Sequence, residues 1–244
     1  MGVLNVTPDS FSDGGRWLDP DAAVTHGLRM VADGADVVDV GGESTRPGAD
    51  PVPVHEELRR VLPVVEALIP HVRVSIDTRK TEVAEAALEA GATLVNDVSA
   101  SLAPVARAAG AGWVAMHMKG DPRTMQRAPI YDDVVAEVTA FLVDRASTAG
   151  MDEVWIDPGI GFGKTLEHNL ALLAHLRDLV ATGYPVVVGT SRKAFLGRLT
   201  GDAPTGDRVE ASVATAAWAM SQGAAMVRVH DVGPTVEAAK RLAR

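Results

Sequence analysis

Polar and charged side chains follow short apolar runs at eight places along the chain. Asp77, Asn96 and Asp157 supply carboxylate and amide groups, and Lys193 supplies a cation. This set suits a flat heterocycle of the aminopyrimidine type, whose donor edge needs acceptors and whose carbonyl needs a cation. Arg228 adds a planar guanidinium that can stack on a ring. These residues therefore predict a binding site for a polar ring.

Groups that can hold an anion occur in the same parts of the sequence. His230 and Arg46 offer positive charge, and the pairs Gly14–Gly15 and Gly41–Gly42 can present backbone N–H groups. Together with the ring-binding residues, they predict a ligand that carries both a polar ring and an anionic group.

The apolar runs alternate with helical stretches from one end of the chain to the other. Runs rich in β-branched residues cover 3–5, 37–39, 72–77, 94–96, 114–117, 154–157, 186–189 and 226–230. The predicted helices cover 20–33, 54–69, 79–90, 102–109, 131–149, 168–182, 207–222 and 234–243. Eight strand–helix units predict an α/β fold: a single (β/α)8 TIM barrel that spans residues 1–244 as one domain.

The predicted helices and loops also indicate which end of the barrel carries the functional site. A glycine in the position of a left-handed helix cap follows five of the helices, at Gly34, Gly91, Gly110, Gly150 and Gly223. The longest non-helical stretches, in contrast, all follow strands. Because active sites of such barrels lie at the carboxyl ends of the strands, the polar residues there are expected to share one pocket.

Each of these polar residues has a simpler interpretation when taken singly. An Asp or Asn after a strand is more often a helix cap or a turn residue than a catalytic group. The strand ends Asn5, Asp39 and His117 belong to the same ring of positions. Because polar side chains occur at all eight strand ends, the set as a whole favours a functional site.

Composition excludes several classes of protein. The 244-residue chain has no cysteine, which excludes disulfides, thiolate zinc sites and a cysteine nucleophile. Its formal net charge of −9 argues against nucleic acid as a partner, because nucleic-acid binders usually carry a basic face. No apolar run reaches the ~18 residues of a membrane span, and no leader segment is evident. We therefore expect a cytoplasmic protein with no membrane partner.

Nine short motifs give the sequence a family resemblance. They are MGVLNVTPDSFSDGG at 1–15, DVGGESTRPG at 39–48, SIDT at 75–78, VNDV at 95–98, MHMKG at 116–120, TMQ at 124–126, DPGIGFGK at 157–164, SRK at 191–193 and RVHDV at 228–232. In this order they resemble the motifs of dihydropteroate synthases over nearly the whole chain.

The resemblance implies a role for each site residue. The pterin would be bound by Asp77, Asn96, Met116, Asp157, Lys193 and Arg228, with Asp157 on the aminopyrimidine edge and Val98 as a further apolar wall. The pyrophosphate would be bound by Asn5, Thr45, Arg228 and His230, with Asn5 as the ligand of Mg²⁺. The 4-aminobenzoate pocket would be formed by Phe11, Thr45, Arg46, Pro47, Phe162 and Lys193. The residues expected to serve catalysis are Asp13, Arg46, Lys193, Arg228 and His230.

The implied reaction joins 6-hydroxymethyl-7,8-dihydropterin pyrophosphate to 4-aminobenzoate and yields 7,8-dihydropteroate and pyrophosphate, a step of folate biosynthesis. It requires no enzyme nucleophile, because the ring can stabilise positive charge while pyrophosphate leaves and the arylamine attacks. Ordered loops would exclude water. The resemblance further implies Mg²⁺ as cofactor, a homodimer formed by outer helices, and inhibition by sulfonamides.

Two alternatives remain beside this interpretation. A pterin-dependent methyltransferase would share the barrel and the pterin-binding Asp and Asn positions, but it would not need Arg46, His230 or the SRK motif. A non-catalytic pterin-binding paralogue would bind without turnover. Nucleotide binding by 159–165 is not expected, because Pro158 stands where a phosphate loop requires glycine.

Overall fold

The computed structural model describes residues 1–7, 20–44 and 49–242. Its strands are β1 (Gly2–Asn5), β2 (Val37–Gly41), β3 (Arg73–Asp77), β4 (Leu94–Asp97), β5 (Gly112–Met116), β6 (Val154–Asp157), β7 (Val187–Val188) and β8 (Met226–Val227). Neighbouring strands pair in parallel from β1 to β6, and β7 pairs in parallel with β8.

Two sets of backbone contacts close these strands into a barrel. Ile156 on β6 bridges to Val186 ahead of β7, and Gly2 on β1 bridges to Val229 after β8. The second closure contains a 2.9 Å hydrogen bond from the Val3 N–H to the Val229 carbonyl. The predicted (β/α)8 barrel is therefore confirmed, although its seventh and eighth strands are shorter than predicted.

Helices connect the strands on the outside of the barrel. They are α1 (Pro20–Ala32), α2 (Val54–Leu68), α3 (Thr81–Glu89), α4 (Ala103–Ala108), α5 (Val134–Thr148), α6 (Leu166–Ala174), α7 (Leu176–Val180), α8 (Ala194–Leu199), α9 (Val209–Ser221) and α10 (Val232–Leu242). A 3₁₀ turn, Thr205–Arg208, precedes α9. Within the described ranges, no helix is long and apolar enough to cross a bilayer.

Three helix predictions need correction. The helix predicted to begin at residue 131 begins at Val134, because the Asp133 carboxylate caps it by accepting N–H groups of Val135 and Ala136. The single helix predicted over 168–182 is divided at His175, whose backbone leaves the helical region. The six-residue α8 was not predicted, since so short a helix shows little periodicity. The five predicted glycine caps all have positive φ, as expected.

Alternation along the strands determines which side chains face the barrel interior. A small apolar layer is formed by Met1, Val37, Leu94, Val114 and Val187. Side chains in a strand alternate between two faces, so the residues two positions further along point inward as well. On β2 this places Asp39 above Val37, and on β4 it places Asn96 above Leu94. The barrel interior thus changes from aliphatic to polar towards the carboxyl ends of the strands.

Candidate active site

Strand register brings several predicted site residues into adjacent positions. Asp77 at the end of β3 pairs with Asn96 on β4, and Met116 at the end of β5 pairs with Asp157 on β6. Asp77, Asn96, Met116 and Asp157 are all buried. These four predicted pterin-binding residues, which come from four separate motifs, therefore form two neighbouring pairs at the carboxyl ends of β3 to β6.

Arg228 directly follows β8 and contacts two carboxylates of the same region. Its Nε donates to Asp39 Oδ2 and its Nη2 to Asp77 Oδ2, each at 2.6 Å. The same Asp39 oxygen accepts a 2.9 Å hydrogen bond from the Asn96 amide. Asp39 received no binding role from the sequence, yet it connects two residues that did. The signal that could have found it is its inward parity on β2.

Burial changes the protonation of the carboxylates in this network. It raises the pKa of Asp77 to about 7, although the Arg228 guanidinium opposes the change. It also raises the pKa of Asp157, which Lys193 opposes. For Arg228, burial acts to lower the pKa, but Asp39 and Asp77 outweigh it and the net change is upward. The guanidinium therefore stays charged beside these carboxylates.

Lys193 lies near Arg228 in the pocket: a Cβ on Gly189 would be 3.7 Å from both the Lys193 Nζ and the Arg228 Cβ. Its Nζ donates to the Ile160 carbonyl and lies 4.8 Å from the centroid of the Phe162 ring. Burial lowers the pKa of Lys193 to about 8, while Asp157 acts in the other direction. Lys193 and Phe162, both predicted to contact 4-aminobenzoate, are thus in contact with each other.

The seventh and eighth loops are joined by two consecutive pairs of residues. His230 donates its backbone N–H to Ser191 Oγ at 3.1 Å, and its Nδ1 lies 3.0 Å from the same oxygen. One residue further along, Arg192 makes a bidentate ion pair with Asp231, at 3.0 and 2.6 Å. These contacts keep the two loops together at the pocket.

The loops after β5 and β6 are packed backbone against backbone. Gly159 has a φ of 64°, and a Cβ there would overlap the His117 carbonyl oxygen. Its N–H donates to Asp157 Oδ1 at 2.7 Å, which orients that carboxylate. Only glycine satisfies both the left-handed conformation and the close approach. The glycine-rich segment after β6 therefore fixes the position of Asp157.

Five predicted site residues lie outside the described part of the chain: Phe11, Asp13, Thr45, Arg46 and Pro47. Asn5, the predicted Mg²⁺ ligand, ends β1 and is half-buried. In the ranges that the structure describes, no three His, Cys, Asp or Glu side chains form a cluster that could hold a metal. The amide oxygen of Asn5 nevertheless suits Mg²⁺, a hard cation that takes oxygen ligands, keeps several waters and binds substrate phosphates. The residues present therefore fit a metal bound mainly by a pyrophosphate.

Comparison with known proteins agrees with this geometry. The sequence profile of the family described as pterin binding enzyme matches residues 1–230. The chain belongs to the pterin-binding enzymes. A dihydropteroate synthase of Mycobacterium leprae is 52% identical, with 98% of this chain and 90% of that protein covered. The Escherichia coli dihydropteroate synthase is 47% identical, with coverages of 98% and 88%. Within the pterin-binding enzymes, the chain belongs to the dihydropteroate synthases.

Solved structures show the same relationship. A Xanthomonas albilineans dihydropteroate synthase with 4-aminobenzoic acid superposes with a TM-score of 0.93 at 49% identity, covering 99% of this chain and 90% of that one. A Yersinia pestis dihydropteroate synthase in a sulfonamide drug complex also gives 0.93, at 45% identity and coverages of 99% and 92%. Fold and family therefore agree over nearly the entire sequence.

Proposed function

We propose that this chain catalyses the condensation of 6-hydroxymethyl-7,8-dihydropterin pyrophosphate with 4-aminobenzoate. The observation that carries the proposal is the polar end of the barrel, where Asp77, Asn96 and Asp157 are grouped with the cations Arg228 and Lys193. A pterin presents ring N–H and amino donors to the acceptors and its carbonyl to Lys193. As a dihydropteroate synthase, the chain is a transferase of folate biosynthesis.

In the proposed reaction, the bond between the pterin methylene carbon and the pyrophosphate oxygen breaks, and the oxygen keeps the electron pair. The arylamine nitrogen forms a new bond to the same carbon and releases one proton. Arg228 and His230 would balance the charge of the leaving group, and Thr45 would be a further ligand of the pyrophosphate. Fixed cations lower the barrier because they need no reorganisation when the charge develops.

Mg²⁺ belongs to the proposal as the cofactor, with Asn5 contributing one oxygen. When bound, it would neutralise negative charge on the pyrophosphate. The chain's own residues would orient the two substrates: Asp157, fixed by the Gly159 N–H, would hold the aminopyrimidine edge. Lys193 would contact the carbonyl side of the ring, and Phe162 would flank 4-aminobenzoate with Phe11, Arg46 and Pro47. Asp13 and Arg46 would complete the site around the reacting groups.

Turnover by purified protein tests the function. The protein is mixed with dihydropterin pyrophosphate, 4-aminobenzoate and Mg²⁺, and both products are followed, pyrophosphate by a coupled assay and dihydropteroate by mass. We expect product from the wild type and at least a hundredfold loss with Asp157→Asn, which keeps the shape but loses the charge. Pterin binding without product would instead support a non-catalytic pterin-binding protein. A sulfonamide added to the assay should compete with 4-aminobenzoate.

We also propose a homodimer formed through α9. Trp218 on this helix leaves 47% of its surface exposed, while its Nε1 donates to the Leu173 carbonyl at 3.1 Å. A large, oriented aromatic side chain at the surface is typical of an interface residue. Light scattering should give twice the chain mass for the wild type and a lower mass for Trp218→Lys.

A further inference from the structure

Lys164, the last residue of the DPGIGFGK motif, is buried between the loops that follow β5 and β6. Only 3% of it is exposed. Its Nζ lies 3.0 Å from His117 Nδ1, 3.3 Å from the His117 carbonyl oxygen and 3.0 Å from the Phe162 carbonyl oxygen. The three acceptors match the three N–H groups of the protonated side chain, and the neutral amine still donates two.

The imidazole is suited to act as one of these acceptors. Burial, reinforced by the charge of Lys164, lowers the pKa of His117 to about 3, so the ring is neutral at physiological pH. A neutral ring whose Nδ1 accepts from Lys164 carries its proton on Nε2. Asp157 acts on Lys164 through its charge, but no carboxylate in the described ranges forms an ion pair with the ammonium. The amine therefore serves as a hydrogen-bond donor between two loops.

The loop that Lys164 holds carries the groups that contact Lys193. The Ile160 carbonyl accepts from Lys193, and the Phe162 ring lies under its ammonium. On its other side the loop is held by the Asn169 side chain, whose Oδ1 accepts the Gly161 N–H at 2.7 Å. On the side that faces the loop after β5, the hydrogen bonds of Lys164 keep this loop in place. Loss of its three donors would leave a ring nitrogen and two carbonyls without this partner.

We propose that Lys164 is a positioning residue of the reaction: by tying the His117 loop to the Phe162 carbonyl, it fixes the place of Phe162 and Lys193 in the 4-aminobenzoate pocket. The proposal rests on the proposed function, since 4-aminobenzoate is the ligand whose pocket is affected. Lys164 itself is too buried to be expected to contact substrate. Its effect is therefore expected in the Michaelis constant for 4-aminobenzoate more than in that for the pterin.

The absence of cysteine allows a chemical test of the ammonium alone. A Lys164→Cys variant is alkylated in denaturant and refolded. Bromoethylamine gives a side chain of lysine length with its ammonium, and bromopropane gives an apolar side chain of the same length. Wild-type protein carried through the same steps is the reference, and its turnover separately tests the proposed function.

We expect the propyl form to show at least a tenfold higher KM for 4-aminobenzoate, with less than a threefold change in the KM for dihydropterin pyrophosphate. The aminoethyl form should return to within threefold of the reference. Equal kinetics of the two forms would overturn the proposal, because Lys164 would then only fill space. A parallel loss of activity and thermal stability, with both KM values unchanged, would overturn it as well.

A directly expressed Lys164→Met variant repeats the comparison without refolding. Its control is Arg73→Met, which removes the 2.8 Å ion pair to Glu153 at the opposite end of the barrel. We expect Arg73→Met to leave both KM values unchanged. If no form without the ammonium folds, the proposal is also overturned, because the contact would then be required for folding rather than for placement.

Discussion

The carboxylate of Asp39 holds the guanidinium of Arg228 through a 2.6 Å hydrogen bond to Nε. Asp39 is fully buried, and the oxygen that accepts this bond also accepts from the Asn96 amide. Its other oxygen, Oδ1, has no hydrogen-bond partner among the residues that the structure describes. Asp39 therefore fixes two proposed pterin-binding side chains at once.

Replacement of Asp39 by Asn should weaken both the fold and pterin binding. The change keeps the shape but removes one charge from a buried ion pair, which costs about 3 kcal/mol when the partner stays charged. We also expect at least tenfold weaker binding of a pterin, because Arg228 and Asn96 lose their common anchor. Urea denaturation and calorimetric titration measure the two effects.

Glu153→Gln is the matched control for this charge removal. It affects the Arg73–Glu153 pair, whose side chains are 32% and 41% exposed. Exposed pairs contribute at most about 1 kcal/mol, so the control should change the free energy of unfolding by less than that. Similar losses in the two variants would show that burial of Asp39 does not set the energy of its ion pair.

Gly159→Ala should abolish most activity, because its Cβ would overlap the His117 carbonyl oxygen. The informative control is Gly110→Ala: φ is 67° there and 64° at Gly159, but a Cβ on Gly110 meets nothing within 4 Å. In the control, the free energy of unfolding should fall only by the cost of a left-handed non-glycine residue, about 1 kcal/mol. In Gly159→Ala, the free energy of unfolding should fall by at least about 2 kcal/mol more than in the control, because the added Cβ overpacks the site. Equal losses by thermal denaturation would refute the steric argument.

The barrel and the ring of site residues were predictable from sequence for a physical reason. A buried parallel strand has a recognisable aliphatic composition, and the chain must leave it at the carboxyl end of the barrel, so the polar residue that follows each strand is easily located. This reasoning brought Asp77, Asn96 and Asp157 together correctly. It failed for short elements such as α8 and for the break at His175, where a few local backbone contacts outweigh periodicity.

The partners of the site residues could not be predicted in the same way. Asp39 is separated from Arg228 by most of the sequence, and nothing local shows that these two side chains meet. Lys164 appears in the sequence as the end of a glycine-rich loop, where a solvent-exposed cation would be the ordinary expectation. Its burial follows from the packing of two loops, which depends on the closed barrel.

Lys164 should make the stability of the protein depend on pH above neutrality. Burial lowers its pKa from 10.5 to about 7 in the folded chain, while Asp157 opposes the change. Between these values the unfolded chain binds more protons than the folded one, so the free energy of unfolding rises with pH across this window. One such group contributes a slope of at most about 1.4 kcal/mol per pH unit.

Urea denaturation at pH 7.5, 8.5 and 9.5 measures that slope. Lys164→Met should have a smaller slope than the wild type, whereas Lys240→Met, on the exposed end of α10, should keep the wild-type slope. Lys193, whose pKa burial also lowers, contributes in the same direction and is present in all three proteins. Identical slopes for Lys164→Met and the wild type would mean that Lys164 does not titrate in this range.

Arg192 combines an ion pair with an unfavourable backbone conformation, and the two effects can be separated by substitution. Its φ of 58° is left-handed, and its guanidinium pairs with Asp231 beside the Ser191–His230 contact. Arg192→Ala and Arg192→Gly both lose the ion pair. Only glycine also removes the strain of the left-handed conformation, which adds about 1 kcal/mol to the free energy of unfolding. Arg192→Gly should therefore be the more stable variant, while both should lose turnover because the seventh and eighth loops are no longer joined there.

A double-mutant cycle with Asp231→Ala measures the pair itself, and we expect a coupling of about 1 kcal/mol. Additive effects in that cycle would show that the two loops are held by Ser191 and His230 alone.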